Sequence, residues 1–183
     1  MKKSATKKKL AVQIAKDVLA NIKAKKIIGS TGSYIGEKLV NAINYAADNS
    51  TNLVELKSVL NKTMTKGAGC EVCALGSMFV SLIDKKNSCK ISDAYDLARD
   101  SEIFDNRLLT AFSNDELNII ETAFEGSGFD QCCFDSQENE QIARIAGMWG
   151  DEIENDTERL KAIMENIVKN KGEFILMRKV QAV

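Results

Sequence analysis

The sequence contains neither histidine nor proline among its 183 residues. Histidine is the usual acid–base catalyst near neutral pH and the commonest metal ligand, so histidine-dependent triads and histidine-ligated zinc are excluded. Without proline, no position forbids an α-helix, and proline-rich linkers are excluded. Long apolar runs are also missing. The longest uncharged stretch, residues 72–83, is too short to cross a bilayer as a helix, so no membrane partner is expected.

The cysteines indicate a reducing environment. There are five, Cys70, Cys73, Cys89, Cys132 and Cys133. An odd count without an export signal is typical of reduced thiols in the cytosol. The N-terminus is basic, but Gln13, Lys16 and Asp17 interrupt its apolar stretch, so it does not resemble a signal peptide. We therefore expect a protein of the cytoplasm.

Apolar residues recur at helical spacing through the first half of the chain. A stripe of such residues predicts a helix over residues 6–25, and shorter helices are predicted near 37–48 and 52–63. The run 72–83 has apolar or small residues on every side and should form the central buried helix. Its small residues would let a neighbouring backbone approach closely.

The second half is predicted to be helical too. A helix over about 92–99 can be capped by its first serine, and Ser113 with Glu116 forms a capping box before the next helix. Residues 126–134 look irregular, and a further helix should run over about 138–149.

The last predicted helix begins at Asn155 or Asp156 and ends at Gly172. Residues 173–180 place apolar side chains on alternating positions and predict a short extended tail. Strand patterns are otherwise nearly absent. The sequence therefore predicts one all-α domain over residues 1–183, a bundle of about six to eight helices.

Charge is unevenly distributed although the net charge is −1. Residues 1–90 carry 16 lysines and 6 acids, whereas residues 91–166 carry 5 basic and 19 acidic residues. Such asymmetry can steer a polyanion to the basic half. Alternatively, the halves neutralise each other by packing within one chain or head-to-tail between subunits, and we expect a homo-oligomer.

Two glycine-rich loops could bind an anion, and the first spans residues 29–36. The second, Lys66 to Gly69, precedes a predicted helix, so backbone N–H groups, a helix dipole and a lysine converge there. The predicted ligand-binding residues are Thr31, Gly32, Ser33, Tyr34, Lys66, Gly67 and Gly69. No nucleotide-binding fingerprint is matched, and either loop could be a plain turn. Tyr34 could stack on a base, or its buried ring could anchor the loop.

The cysteine pattern leaves three interpretations open. Cys70 and Cys73 have the C-x2-C spacing, and with Cys132 and Cys133 they could bind zinc, although adjacent cysteines are awkward ligands. A redox role for the first pair is also conceivable. The simplest interpretation is structural, because cysteine packs as a small hydrophobe.

Nothing in the sequence indicates catalysis. The acidic cluster 151–156 lacks the glycine and alternating ligands of an EF-hand and is interpreted as a helix junction. No nucleophile–base pair is recognisable. We therefore predict no cofactor, no metal and no enzymatic activity.

Several segments resemble a family of small accessory proteins encoded by tailed bacteriophages. They are residues 14–18, 32–34, 70–76, 159–166 and 170–172. The resemblance implies a phage protein made in the host bacterial cytosol, and it assigns no catalytic residue. Small phage proteins of this kind often block a host protein or sequester a host signalling nucleotide.

Three functions are compatible with these features. The first is a non-enzymatic counter-defence protein that sequesters an anionic nucleotide-like ligand. The second is a protein–protein inhibitor that presents its acidic half to a basic host surface. The third is a zinc or nucleic-acid-binding module, which is less favoured because no aromatic residues are interleaved with the lysines.

Overall fold

The computed structural model describes residues 4–48, 56–65, 67, 69–86, 107–129, 134 and 136–176. This part of the chain contains seven helices and two short strands, which confirms the all-α class. In chain order they are α1 (Ala5–Lys23), β1 (Ile27–Gly29), α2 (Glu37–Asp48), α3 (Leu56–Thr63), β2 (Cys70–Val72), α4 (Ala74–Lys86), α5 (Asn114–Glu125), α6 (Gln137–Asp151) and α7 (Asp156–Lys169). The helix predicted at 92–99 lies outside the described residues.

Helix α1 follows the predicted pattern closely. The Ser4 hydroxyl caps it by accepting a hydrogen bond from the Lys7 N–H at 3.3 Å. After its last turn, Lys25 takes a left-handed φ of 53°, and the Lys26 N–H donates to the Asn21 carbonyl at 2.9 Å. This turn ends the helix and directs the chain into β1.

The two strands form a parallel pair that the sequence does not predict. Ile27 lies opposite Cys70, and Gly29 lies opposite Val72. The carbonyl of Val72 also accepts a hydrogen bond from the Ser30 N–H at 3.0 Å. The apolar run 72–83 is therefore not helical throughout. These contacts hold residue 72 in a strand, and α4 begins two residues later.

Helix α4 is the central buried helix, as predicted. All its side chains from Ala74 to Ile83 are buried, and it packs against α1, α3 and α5. A side chain at Gly76 would overlap the carbonyl of Tyr34, so this glycine allows the loop after β1 to lie directly on the helix. No helix in the described ranges combines the length and apolarity that a membrane crossing requires.

Helices α5, α6 and α7 begin at side-chain caps. Ser113 and Glu116 form the predicted capping box at α5, with the Glu116 N–H 3.2 Å from the serine hydroxyl. Asn155 caps α7 by accepting a hydrogen bond from the Glu158 N–H at 3.0 Å. The last helix ends at Lys169, and both Lys171 and Gly172 have positive φ values, 56° and 100°, in the turn that closes it.

Several side chains hold the described part of the C-terminal tail. Glu173 forms an ion pair with Lys8 at 2.6 Å, and the Phe174 ring packs edge-on against Trp149. The Asn166 amide donates to the Ile175 carbonyl at 2.7 Å and accepts from the Ile175 N–H at 2.9 Å. Residues 173–176 have no regular secondary structure. The rest of the predicted extended tail, 177–180, lies outside the described residues.

Candidate functional site

The first glycine loop, residues 30–36, has donors that are already occupied. The Thr31 N–H and hydroxyl donate to the Asp156 carboxylate at 3.0 and 3.2 Å. The Gly32 N–H donates to Glu125 Oε2 at 2.9 Å. Carboxylates of the acidic half thus fill the positions that the sequence assigned to an external anion. Here the two halves of the chain meet through hydrogen bonds from neutral donors to carboxylates.

A cavity of about 260 Å³ lies beside this loop, and it is acidic. It brings together the predicted residues Gly32, Ser33 and Tyr34 and faces them with Glu121 and Glu125. Burial raises the pKa of the Glu125 carboxyl, although the hydrogen bond from Gly32 partly offsets this effect. An anion would meet repulsion from these carboxylates, so this end of the molecule is unsuited to binding one.

Tyr34 anchors the loop to the helix below it. Its carbonyl accepts a hydrogen bond from the Cys73 N–H at 3.3 Å, and its half-buried side chain packs against the core. Of the two predicted roles for this residue, the structure supports anchoring.

Cys70 and Cys73 are both free and buried. Burial raises the pKa of both thiols, and in Cys73 this effect outweighs the hydrogen bond that the Gly76 N–H donates to its sulfur at 3.4 Å. Protonated buried thiols are poor nucleophiles and poor metal ligands. Cys132 and Cys133, the other half of the zinc alternative, lie outside the described residues.

The second glycine loop, residues 65–69, lies at the opposite end of the strand pair. Because β1 and β2 are parallel, the first loop leaves the carboxyl end of β1, whereas this loop enters the amino end of β2. Gly67 and Gly69 have left-handed φ values of 81° and 51°. Lys66 lies outside the described residues. The predicted ligand-binding residues that the structure describes therefore lie at two opposite ends of the strand pair and not in one site.

The second loop borders a different cavity, which we call the basic cavity. It has a volume of about 410 Å³ and lies between the end of α1, the start of β1, α3 and α4. Its lining residues are Asp17, Ala20, Asn21, Ala24, Lys26, Lys57, Leu60, Asn61, Met64 and Val80. The loop begins directly after Met64, and its Gly69 N–H donates to the carbonyl of Lys25, next to Lys26, at 3.1 Å.

The lining combines an apolar floor with a few polar groups. Leu60, Met64 and Val80 are buried. Asn21 donates through its side chain to the Asp17 carboxylate at 3.3 Å, which fixes the orientation of its amide. Lys26 is half-buried, and its ammonium forms no ion pair with any described residue. Lys26 and Lys57 outnumber the single carboxylate of Asp17, so the charged lining remains net positive. With two side-chain amides and an apolar floor, it suits a ligand that carries an anionic group on a flat polar ring.

The basic cavity was missed by sequence reasoning because its polar residues belong to no motif. Asn21, Lys26, Lys57 and Asn61 are distributed over two helices and a turn, and no common spacing connects them. The available signal was the cluster of Lys23, Lys25 and Lys26 at the end of the first helix.

Comparisons of the chain with family models, curated proteins and solved structures find no match. Within the described residues there is also no group of three or more cysteine or carboxylate side chains placed to hold a metal ion. The chemistry of the basic cavity is therefore inferred from its own lining.

Proposed function

We propose that this chain is a non-enzymatic binding protein that sequesters an anionic, nucleotide-like small molecule in the basic cavity. One observation carries the proposal. The side chains of Lys26, Lys57, Asn21 and Asn61 line the same cavity, above an apolar floor. An ammonium group binds a phosphate oxygen, and an amide can pair with the edge of a base.

The size and burial of the cavity support a small ligand. Its volume of about 410 Å³ falls within the range of roughly 300–1,000 Å³ that is usual for small-molecule sites. Lys26 is positioned by the turn that ends α1, so its backbone does not have to be ordered when the ligand binds. The basic charge of residues 1–90 would also attract an anion from a distance.

The biological setting is part of the same proposal. The resemblance to accessory proteins of tailed bacteriophages favours a role in counter-defence, in which a host signalling nucleotide is removed by binding. Sequestration requires tight binding and enough protein, but no catalysis. The lysines and amides of the basic cavity can supply that binding. We propose that the protein acts in the host bacterial cytosol and that it forms a homo-oligomer.

Titration calorimetry with a panel of linear and cyclic nucleotides tests this function. We expect at least one to bind with a Kd well below millimolar and to bind more weakly as salt is raised, because ions screen the lysines. Lys26→Ala should lose about 1–3 kcal/mol of affinity, roughly 5–150-fold, the usual scale for a charge-assisted hydrogen bond.

The matched control is Lys9→Ala, which removes an exposed lysine of α1 near the other end of the helix. It should bind as tightly as the wild type. If no nucleotide binds below millimolar concentration, the sequestration proposal is wrong. If one binds and Lys26→Ala binds it equally well, the function stands and the site is wrong.

A further inference from the structure

Helix α6 exposes large apolar side chains that nothing in the described chain covers. Met148 is 64% exposed and Ile145 41%, and the two lie one turn apart on the same face. Phe129, from the turn after α5, is 36% exposed nearby. Exposed apolar residues grouped on one face mark an interaction surface more often than scattered ones do.

A groove of about 560 Å³ runs beside this face. Phe129, Phe134, Ala143 and Met148 supply its apolar lining, and Glu140 and Arg144 are among its polar residues. Its length along α6 exceeds one helical turn, since lining residues extend from 140 to 148 on that helix. The groove is large enough to take an apolar side chain from another molecule.

The wall that carries Phe129 is held in place by hydrogen bonds and by close packing. Ser127 donates through both its N–H and its hydroxyl to the Asp151 carboxylate, with the N–H at 3.1 Å from the nearer oxygen. These bonds lower the pKa of Asp151, so the carboxylate is charged at neutral pH. Gly147 brings α6 against this turn, because a Cβ there would lie 2.8 Å from the Ser127 Cα. The groove is thus preformed, which lowers the cost of binding.

The charge around the groove selects the partner. Glu140 lines the groove beside Arg144, and the exposed Asp151 bonds to Ser127 in its wall. Glu121 and Glu125 line the neighbouring cavity that shares Phe129 with the groove, so acidic side chains outnumber the one basic side chain around it. Residues 136–158 as a whole carry seven acidic residues and one basic residue. A docking segment with lysine or arginine beside its apolar anchor would therefore be attracted, and an acidic segment would be repelled.

We propose that the α6 groove binds an amphipathic segment of a partner protein, with an apolar side chain seated between Phe129 and Met148 and basic residues on the surrounding carboxylates. This mode lays the apolar face of a helix into a hydrophobic groove. It is independent of nucleotide binding, because the basic cavity is lined by other helices.

The test uses two synthetic amphipathic helical peptides, one built from leucine and lysine and one from leucine and glutamate in the same order. Fluorescence anisotropy should show binding of the lysine peptide and not of the glutamate peptide. Met148→Glu should weaken binding at least about 10-fold, because it removes the apolar contact while adding negative charge. Met148→Ala, which leaves the charge unchanged, should also weaken it.

Tyr45→Glu is the matched control, because it places the same charge at another exposed side chain, on α2. It should leave binding within about 2-fold of the wild type. Equal or tighter binding by Met148→Glu would show that charge alone attracts the peptide and would overturn the proposal. Equal binding of the lysine and glutamate peptides would also overturn the proposal. Sedimentation that shows a dimer dissociated by Met148→Glu would assign the groove to a second copy and overturn it too.

Discussion

Replacing Arg159 with lysine should destabilise the fold strongly even though the charge is kept. The Arg159 guanidinium is buried and makes three hydrogen bonds to two carbonyls. Two go to the Ile153 carbonyl at 3.1 and 2.8 Å, and one goes to the Phe124 carbonyl at 2.6 Å. It thereby joins the end of α5, the α6–α7 connection and the first turn of α7.

The magnitude follows from how many of these bonds a lysine can replace. An ammonium on a single flexible chain cannot reach both carbonyls in the same fork geometry, so at least two of the three bonds are lost. Hydrogen bonds from charged donors contribute about 1.5–3 kcal/mol each, which gives a loss of about 3 kcal/mol or more. For a chain of this size that corresponds to a fall in Tm of about 6–12 °C.

Urea and thermal unfolding followed by circular dichroism measure this loss. Arg144→Lys is the control, since Arg144 is exposed on α6 and the change should cost less than about 0.5 kcal/mol. A loss of under 1 kcal/mol for Arg159→Lys would refute the reasoning, because it would mean that the two carbonyls do not depend on the guanidinium.

Three further predictions concern the core and the first glycine loop. Gly76→Ala should lower the free energy of unfolding by about 1–3 kcal/mol despite the higher helix propensity of alanine, because its methyl group would overlap the Tyr34 carbonyl; an unchanged urea midpoint would contradict this. Ser81→Ala should raise the free energy of unfolding by about 1 kcal/mol, because the buried Ser81 hydroxyl has no hydrogen-bond partner among the described residues; a destabilised variant would show that the hydroxyl is satisfied. Burial raises the pKa of Glu125 in the folded state, so its contribution is fully present below the unfolded value of 4.5 and is lost as pH rises through the raised folded value. Glu125→Gln should lack this decline in urea titrations across that range, and a profile parallel to that of the wild type would contradict the assignment.

The helices could be predicted because the signals that form them are local. The stripe of α1, the buried run of α4 and the caps at Ser113 and Asn155 each lie within a few residues of sequence. The strand pair could not be predicted in the same way. Residue 72 was predicted to begin the buried helix, with a glycine-rich loop before it. Only the pairing of residues 70–72 with β1, which is distant in sequence, makes them extended.

The candidate site could not be predicted from the sequence for a related reason. The first glycine loop has the composition of an anion site, but Asp156, 125 residues away from Thr31, occupies its donors. A loop's composition shows that it can bind a carboxylate and does not show whether the chain supplies one itself. Lys26 and Lys57 line one cavity because α1 and α3 both pack against α4, which no local sequence pattern shows.

The location of anion binding is the central claim, and amide chemical-shift mapping by NMR tests it most directly. Titrating the isotope-labelled protein with ATP and with a cyclic dinucleotide would show which backbone amides respond. We predict shifts at Asn21, Ala24, Asn61 and Met64, around the basic cavity, with Thr31 and Gly32 unchanged. Shifts centred on Thr31 and Gly32 would mean that the ligand displaces the internal carboxylates and would contradict the account, as would the absence of any shift at millimolar ligand.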